Sequence, residues 1–133
     1  VIWNQMAKYQ GVVQGLTRIV VGFLFFTHGG QKLFGWFGAE GTVDLMSRFG
    51  VAGVLEVVGG AMFMLGLFTR PVAFVLSGMM AVAYFWIHVP RGLWPWGNGG
   101  ELAALYSWVF LFFATVGGGS FSLDSMLEAK KDS

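Results

Sequence analysis

One stretch constrains this chain more than any other: Val12 to Trp36, VVQGLTRIVVGFLFFTHGGQKLFGW. It is long and apolar enough to enter a bilayer, yet it carries Arg18, His28, Gln31 and Lys32. A charge at membrane depth is expensive, so such a side chain faces other helices, a cavity or the headgroups. A helix over about 12–34 would be about 34 Å long at 1.5 Å per residue, which spans the hydrocarbon with tilt. At 100° per residue, Arg18, Gly22, Phe25, Gly29 and Lys32 share one face, with His28 at its edge. Gly15, Gly22 and Gly29 recur every seven residues along it, and small residues on a helix face let another backbone approach closely. Gly60 offers the same on a later segment. Such a seam can serve packing within the chain or between copies, so a homo-oligomer stays open.

Three further apolar segments follow, at about 51–68, 71–88 and 101–116, separated by Gly, Pro and polar breaks. The expected fold is therefore all-α, a polytopic membrane protein built as an antiparallel bundle of four transmembrane helices in one domain. Composition agrees: the chain is 56% hydrophobic and 11% charged, against about 25% charged in soluble domains. Short interfacial helices are expected at about 43–49, with Thr42 as cap, and at about 122–129, started by Ser122. The last apolar segment is short, at about 24 Å. It either dips beneath the surface or extends by a turn.

Charge narrows the function. The formal net charge is +1, so no basic field exists to attract nucleic acid. There is no Cys, which excludes thiolate nucleophiles and Cys-ligated clusters on this chain. Four antiparallel spans would put both termini on one side. That side carries Lys8, Arg18, Arg70, Lys130 and Lys131; the other carries Lys32, Arg48 and Arg91. The positive-inside rule then predicts cytoplasmic termini in a cell (inner) membrane.

The same topology gathers His28, Gln31, Lys32, Glu56, His88 and Glu101 in the opposite half as a candidate polar pocket or network, with Arg18 an additional buried charge nearer the termini. Glu56 is the sharpest signal, the lone charge of its segment. It either pairs with Lys32 or Arg18, or is held neutral. Glu101 and His88 form a second candidate pair. Lys32 could hold an anion, and the two histidines could relay protons near neutral pH. A quinone or another polar-headed ligand suits such a pocket; the plainer reading is a satisfied network that fixes helix order. No residue is assigned a catalytic role. His28, His88, Glu56 and Glu101 are metal-ligand types, but no H-E-x-x-H motif or dense cluster joins them, so no metal is assigned.

The pattern R-x3-G-x5-H-G-x2-K-L-F-G, here Arg18, Gly22, His28-Gly29 and Lys32 to Gly35, resembles the start of a DoxX family protein. The likeness continues through E-x2-G-G at Glu56–Gly60, G-L-x-T-R at Gly66–Arg70, G-x-E-L at Gly99–Leu102, and the tail Gly119, Ser122-Leu123-Asp124. It covers about residues 12–125. The resemblance implies a four-helix membrane protein linked to thiosulfate:quinone oxidoreductase subunits and other membrane oxidoreductase complexes. Arg18, His28, Lys32, Glu56 and Glu101 map to the recurrent polar positions of that family. It implies an accessory subunit that scaffolds a redox partner, membrane-bound or peripheral. The alternatives are a quinone-reactive subunit and a small-solute or lipid carrier. The absence of Cys moves any covalent thiol step onto a partner.

Overall fold

The computed structural model describes residues 1–38, 42 and 44–131. Among these residues all regular structure is helical: α1 (Ile2–Ala7), α2 (Gln10–Phe34), α3 (Arg48–Leu65), α4 (Thr69–Ala83), α5 (Pro95–Asn98), α6 (Glu101–Val116) and α7 (Leu123–Lys131). Two compact units are formed, residues 1–69 with 117–133, and residues 70–116.

In the first unit, α2 and α3 lie antiparallel, and their register follows from glycine. A Cβ placed on Gly22 would lie 2.8 Å from the Met64 backbone, and one on Gly60 would lie 3.0 Å from the Phe26 backbone. On Gly29 it would come within 2.7 Å of the Gly53 carbonyl oxygen. These positions carry no side chain because another helix backbone occupies the space. Gly15 continues the seven-residue repeat but meets a different neighbour: its Cβ would overlap the Ser120 carbonyl oxygen, in the C-terminal segment.

Helix ends follow local signals. Ser47 caps α3, its hydroxyl oxygen accepting from Gly50 N–H at 3.1 Å. The expected short helix at 43–49 is thus replaced. Leu45 and Met46 form a turn, Arg48 and Phe49 already belong to α3, and Val43 lies outside the described residues. At the other end Gly66 adopts φ 69°, its N–H bonding Phe63 O while Leu67 N–H bonds Met62 O. This reversal stops α3 three residues before the expected Phe68. Ser122 does open the last helix, its hydroxyl oxygen accepting from Ser125 N–H at 3.1 Å.

In the second unit, Ser77 and Ser107 tie α4 to α6 by reciprocal bonds, each hydroxyl donating to the other's carbonyl at 2.7 and 2.9 Å. Beyond α4 the chain loosens into a π-helical turn, Tyr84–His88, and a 3-10 turn, Val89–Arg91.

Among the described residues, three helical stretches are long and apolar enough to cross a membrane: Gln10–Phe34, Arg48–Leu65 and Thr69–Arg91. By length, the fourth expected span is not identified. Helix α6 has only 16 residues, because Gly99-Gly100 and Gly117–Gly119 bracket it. Large apolar side chains such as Phe74, Phe85, Trp108 and Phe112 point outward. That surface requires a hydrocarbon solvent, and the protein is a polytopic helical membrane protein.

Candidate functional site

Arg18 is fully buried, and its five N–H donors all find backbone carbonyls. Nε donates to Gly118 O at 3.0 Å. Nη1 donates to Phe63 O at 3.3 Å and Met64 O at 2.8 Å. Nη2 donates to Ser120 O at 3.1 Å and Phe121 O at 2.8 Å. Phe63 and Met64 supply the terminal carbonyls of α3, where helical partners run out and the helix dipole is negative. The guanidinium fork therefore caps α3 and fastens the C-terminal segment to it. Phe121 takes φ 61° there, an uncommon conformation for a non-glycine residue.

Asp124 completes the same joint. Its two carboxylate oxygens accept from Phe68 N–H at 2.7 Å and Thr69 N–H at 2.8 Å, at the start of α4. Gln14 Nε2 donates to Gly117 O, and Ser120 N–H to Gly11 O. The pattern residues Arg18, Gly66, Thr69, Gly119, Ser122 and Asp124 thus build one clasp around the α3–α4 corner. The sequence marked Arg18 as a costly buried charge but did not name its partners, because five carbonyls leave no side-chain signature.

Toward the other end of the α2–α3 seam lies the remaining buried charge. Lys32 Nζ donates to Glu56 Oε1 at 2.5 Å. Glu56 is 3% exposed, whereas the Lys32 side chain is 32% exposed. Of the two candidate partners the carboxylate thus takes Lys32; Arg18 is spent on carbonyls. Glu56 Oε2 and Thr69 Oγ1 are the buried side-chain oxygens without a hydrogen-bond partner among the described residues. His28 lies one helical turn before Lys32 and Gln31 beside it, both half-buried. The glycine seam lets Lys32 and Glu56 meet: Gly53 lies against the stems of Lys32 and Leu33, where a Cβ would come within 3.2 Å of Lys32 Cβ.

His88 and Glu101 belong to the second unit. The expected pair between them is replaced: His88 Nδ1 lies 3.2 Å from Asn98 O, and Glu101 is exposed in the first turn of α6. Asn98 is the residue that sequence reasoning undervalued. It is 2% exposed, donates to Gly92 O at 2.8 Å and Tyr84 Oη at 3.3 Å, and accepts from Gly100 N–H at 2.7 Å. Tyr84 Oη in turn donates to Leu93 O at 2.6 Å. Asn in an N-G-G turn was the available signal. Asn98→Ala should lower stability by about 1–3 kcal/mol, because it strands buried groups, and Tyr84→Phe by about 1 kcal/mol. Thermal melting in mild detergent checks this; an Asn98→Ala protein melting with the wild type would refute the pinning role.

Chemically, the Arg18 guanidinium is saturated and has no donor to offer a substrate. The Lys32–Glu56 pair is not saturated: it has a bare carboxylate oxygen and further ammonium N–H groups.

Residues 14–89 match the family profile described as DoxX. A Haemophilus influenzae protein described as "Uncharacterized protein" is 44% identical over 132 residues, covering 92% of this chain and 96% of its own. A second Haemophilus influenzae protein with the same description is 27% identical over 138 residues, covering 91% and 89%. No solved structure matches the chain.

Proposed function

The chain belongs to the DoxX family, and from that membership we propose that it is an accessory membrane subunit of a redox complex, scaffolding a partner enzyme. The observation that carries this reading is the saturation of Arg18. The buried cation of the family pattern is consumed by five carbonyls and holds the fold. A chain that spends Arg18 on architecture, and has no Cys, suits a supporting role beside a partner that performs the chemistry. In this reading α6 crosses as a fourth, short span. Gly117, directly after α6, accepts a bond from Gln14 near the start of α2, which supports a return to the side of the N-terminus. With Lys8, Arg70, Lys130 and Lys131 on that side, both termini are cytoplasmic and the membrane is the inner one.

Purification from native membranes in mild detergent, with mass spectrometry of proteins and small molecules, tests the proposal. A redox subunit arriving in fixed stoichiometry is the expected result. A lone chain, together with unchanged membrane redox activity after deletion, would overturn it.

A second reading has its own observation. The unpartnered Glu56 Oε2 beside Lys32 favours a quinone-reactive subunit, with the pair, His28 and Gln31 facing the ligand. Under it, Glu56→Gln and Lys32→Met each lower quinone-dependent turnover by about a hundredfold, a loss of the size general acid–base groups supply, while the amount of folded protein stays constant. Full turnover in both variants removes this reading.

A further inference from the structure

We propose that the Lys32–Glu56 pair binds a neutral head group that presents a hydroxyl donor beside an acceptor oxygen. The inference deepens the second reading above; it rests on that pair as a ligand site and requires no partner enzyme.

Three observations carry it. First, the two carboxylate oxygens of Glu56 are unequal: Oε1 accepts from Lys32 Nζ, and Oε2 is buried without a partner. A buried carboxylate oxygen with no donor is a standing demand for one, since the charged form accepts strongly and has nothing to give. Second, the pair is neutral as a whole. An anionic ligand would meet Glu56 and a cationic ligand would meet Lys32, so electrostatics favours a head without net charge. Third, Lys32 has three N–H donors and uses one on Glu56, and its side chain is one-third exposed while Glu56 is not. Of the two side chains it is therefore Lys32, on its flexible four-carbon stem, that reaches the surface. Its remaining donors suit an acceptor oxygen on the same ligand.

The required ligand offers one donor to Oε2 and one acceptor to Nζ. A hydroquinone or a glycerol head meets this description. An oxidised quinone offers only acceptors; it can satisfy Lys32 but leaves Oε2 bare.

The test uses the full chain in phosphatidylcholine nanodiscs. Four probes sharing a decyl-length tail are titrated: a hydroquinone kept anaerobic, the corresponding quinone, a monoacylglycerol and an alkyl sulfate. The hydroxyl-bearing neutral probes should bind about tenfold or more tighter than the quinone and the sulfate, the size of one charge-assisted hydrogen bond. Glu56→Gln should erase that preference. Binding of both hydroxyl-bearing probes no tighter than the quinone, or an unchanged preference in Glu56→Gln, overturns the proposal. Infrared difference spectra of the wild-type protein keep the test independent of that variant's folding. A hydroxyl-bearing probe must shift the carboxylate stretching band, and an unmoved band overturns the proposal. Binding of the monoacylglycerol but not the hydroquinone would support the site while removing the quinone-reactive reading.

Discussion

Arg18→Met is expected to leave the protein without a folded first unit. The substitution removes five donors at once from Phe63, Met64, Gly118, Ser120 and Phe121. Each unpaired buried carbonyl costs about 1–3 kcal/mol. Phe63 O keeps its bond from Gly66 N–H, so four carbonyls are stranded. Even at the low end, the sum of roughly 4 kcal/mol takes most of the stability of a marginal domain, about 5 kcal/mol. Methionine fills the volume but donates nothing. Lysine keeps the charge with three donors in place of five and no planar fork, so Arg18→Lys should lie between the two. Size-exclusion yield and thermal melting in mild detergent read the effect. An Arg18→Met protein that elutes and melts like the wild type would show that the carbonyls find other donors, and the clasp would lose its meaning.

Within the α2–α3 seam, Gly29→Ala is expected to be the most damaging glycine substitution. The added Cβ would sit 2.7 Å from Gly53 O and 2.8 Å from Val57 N, both backbone atoms. No rotamer change relieves that contact, so α2 and α3 must move apart along their seam. Overpacking costs typically about 1–3 kcal/mol where side chains can give way; here the upper end or more is expected. Gly60→Ala, with its Cβ 3.0 Å from the Phe26 backbone, should cost less. Gly78 is the control: an added Cβ there meets nothing within 4 Å, and Ala should gain up to about 1 kcal/mol of helix propensity. The order Gly29, Gly60, Gly78 in melting temperature is the measurable outcome. If all three variants melt alike, close approach does not explain the glycines. Because Lys32 lies one turn beyond Gly29, the same variant should also loosen the Lys32–Glu56 pair.

The seam itself was legible in the sequence. Seven-residue spacing of Gly15, Gly22 and Gly29 on the face of Arg18 predicted a close neighbour, and burial of Gly22, Phe25 and Gly29 follows that face. The identity of the neighbour was legible only in part. Gly22 and Gly29 meet α3, whereas Gly15 meets the carbonyl of Ser120, more than a hundred residues away in sequence. Period reports that a face is crowded and says nothing of which backbone crowds it. Helix boundaries missed by about three residues at α3. The Ser47 cap and the Gly66 reversal, both present in the sequence, compete with an apolar pattern that runs past them.

The site divides along the same line. Hydropathy and charge alone place this chain in a membrane and require partners for Arg18, Lys32 and Glu56, since a bilayer supplies no water to solvate a charge. Which groups become those partners depends on the folded chain. Glu56 takes Lys32, a pairing that charge alone suggested. Arg18 takes five carbonyls and Asp124 takes two backbone amides, pairings that no residue type announces. Every residue carries the same backbone groups, so which of them are left over at a helix end, and which side chain reaches them, depends on how the chain returns upon itself.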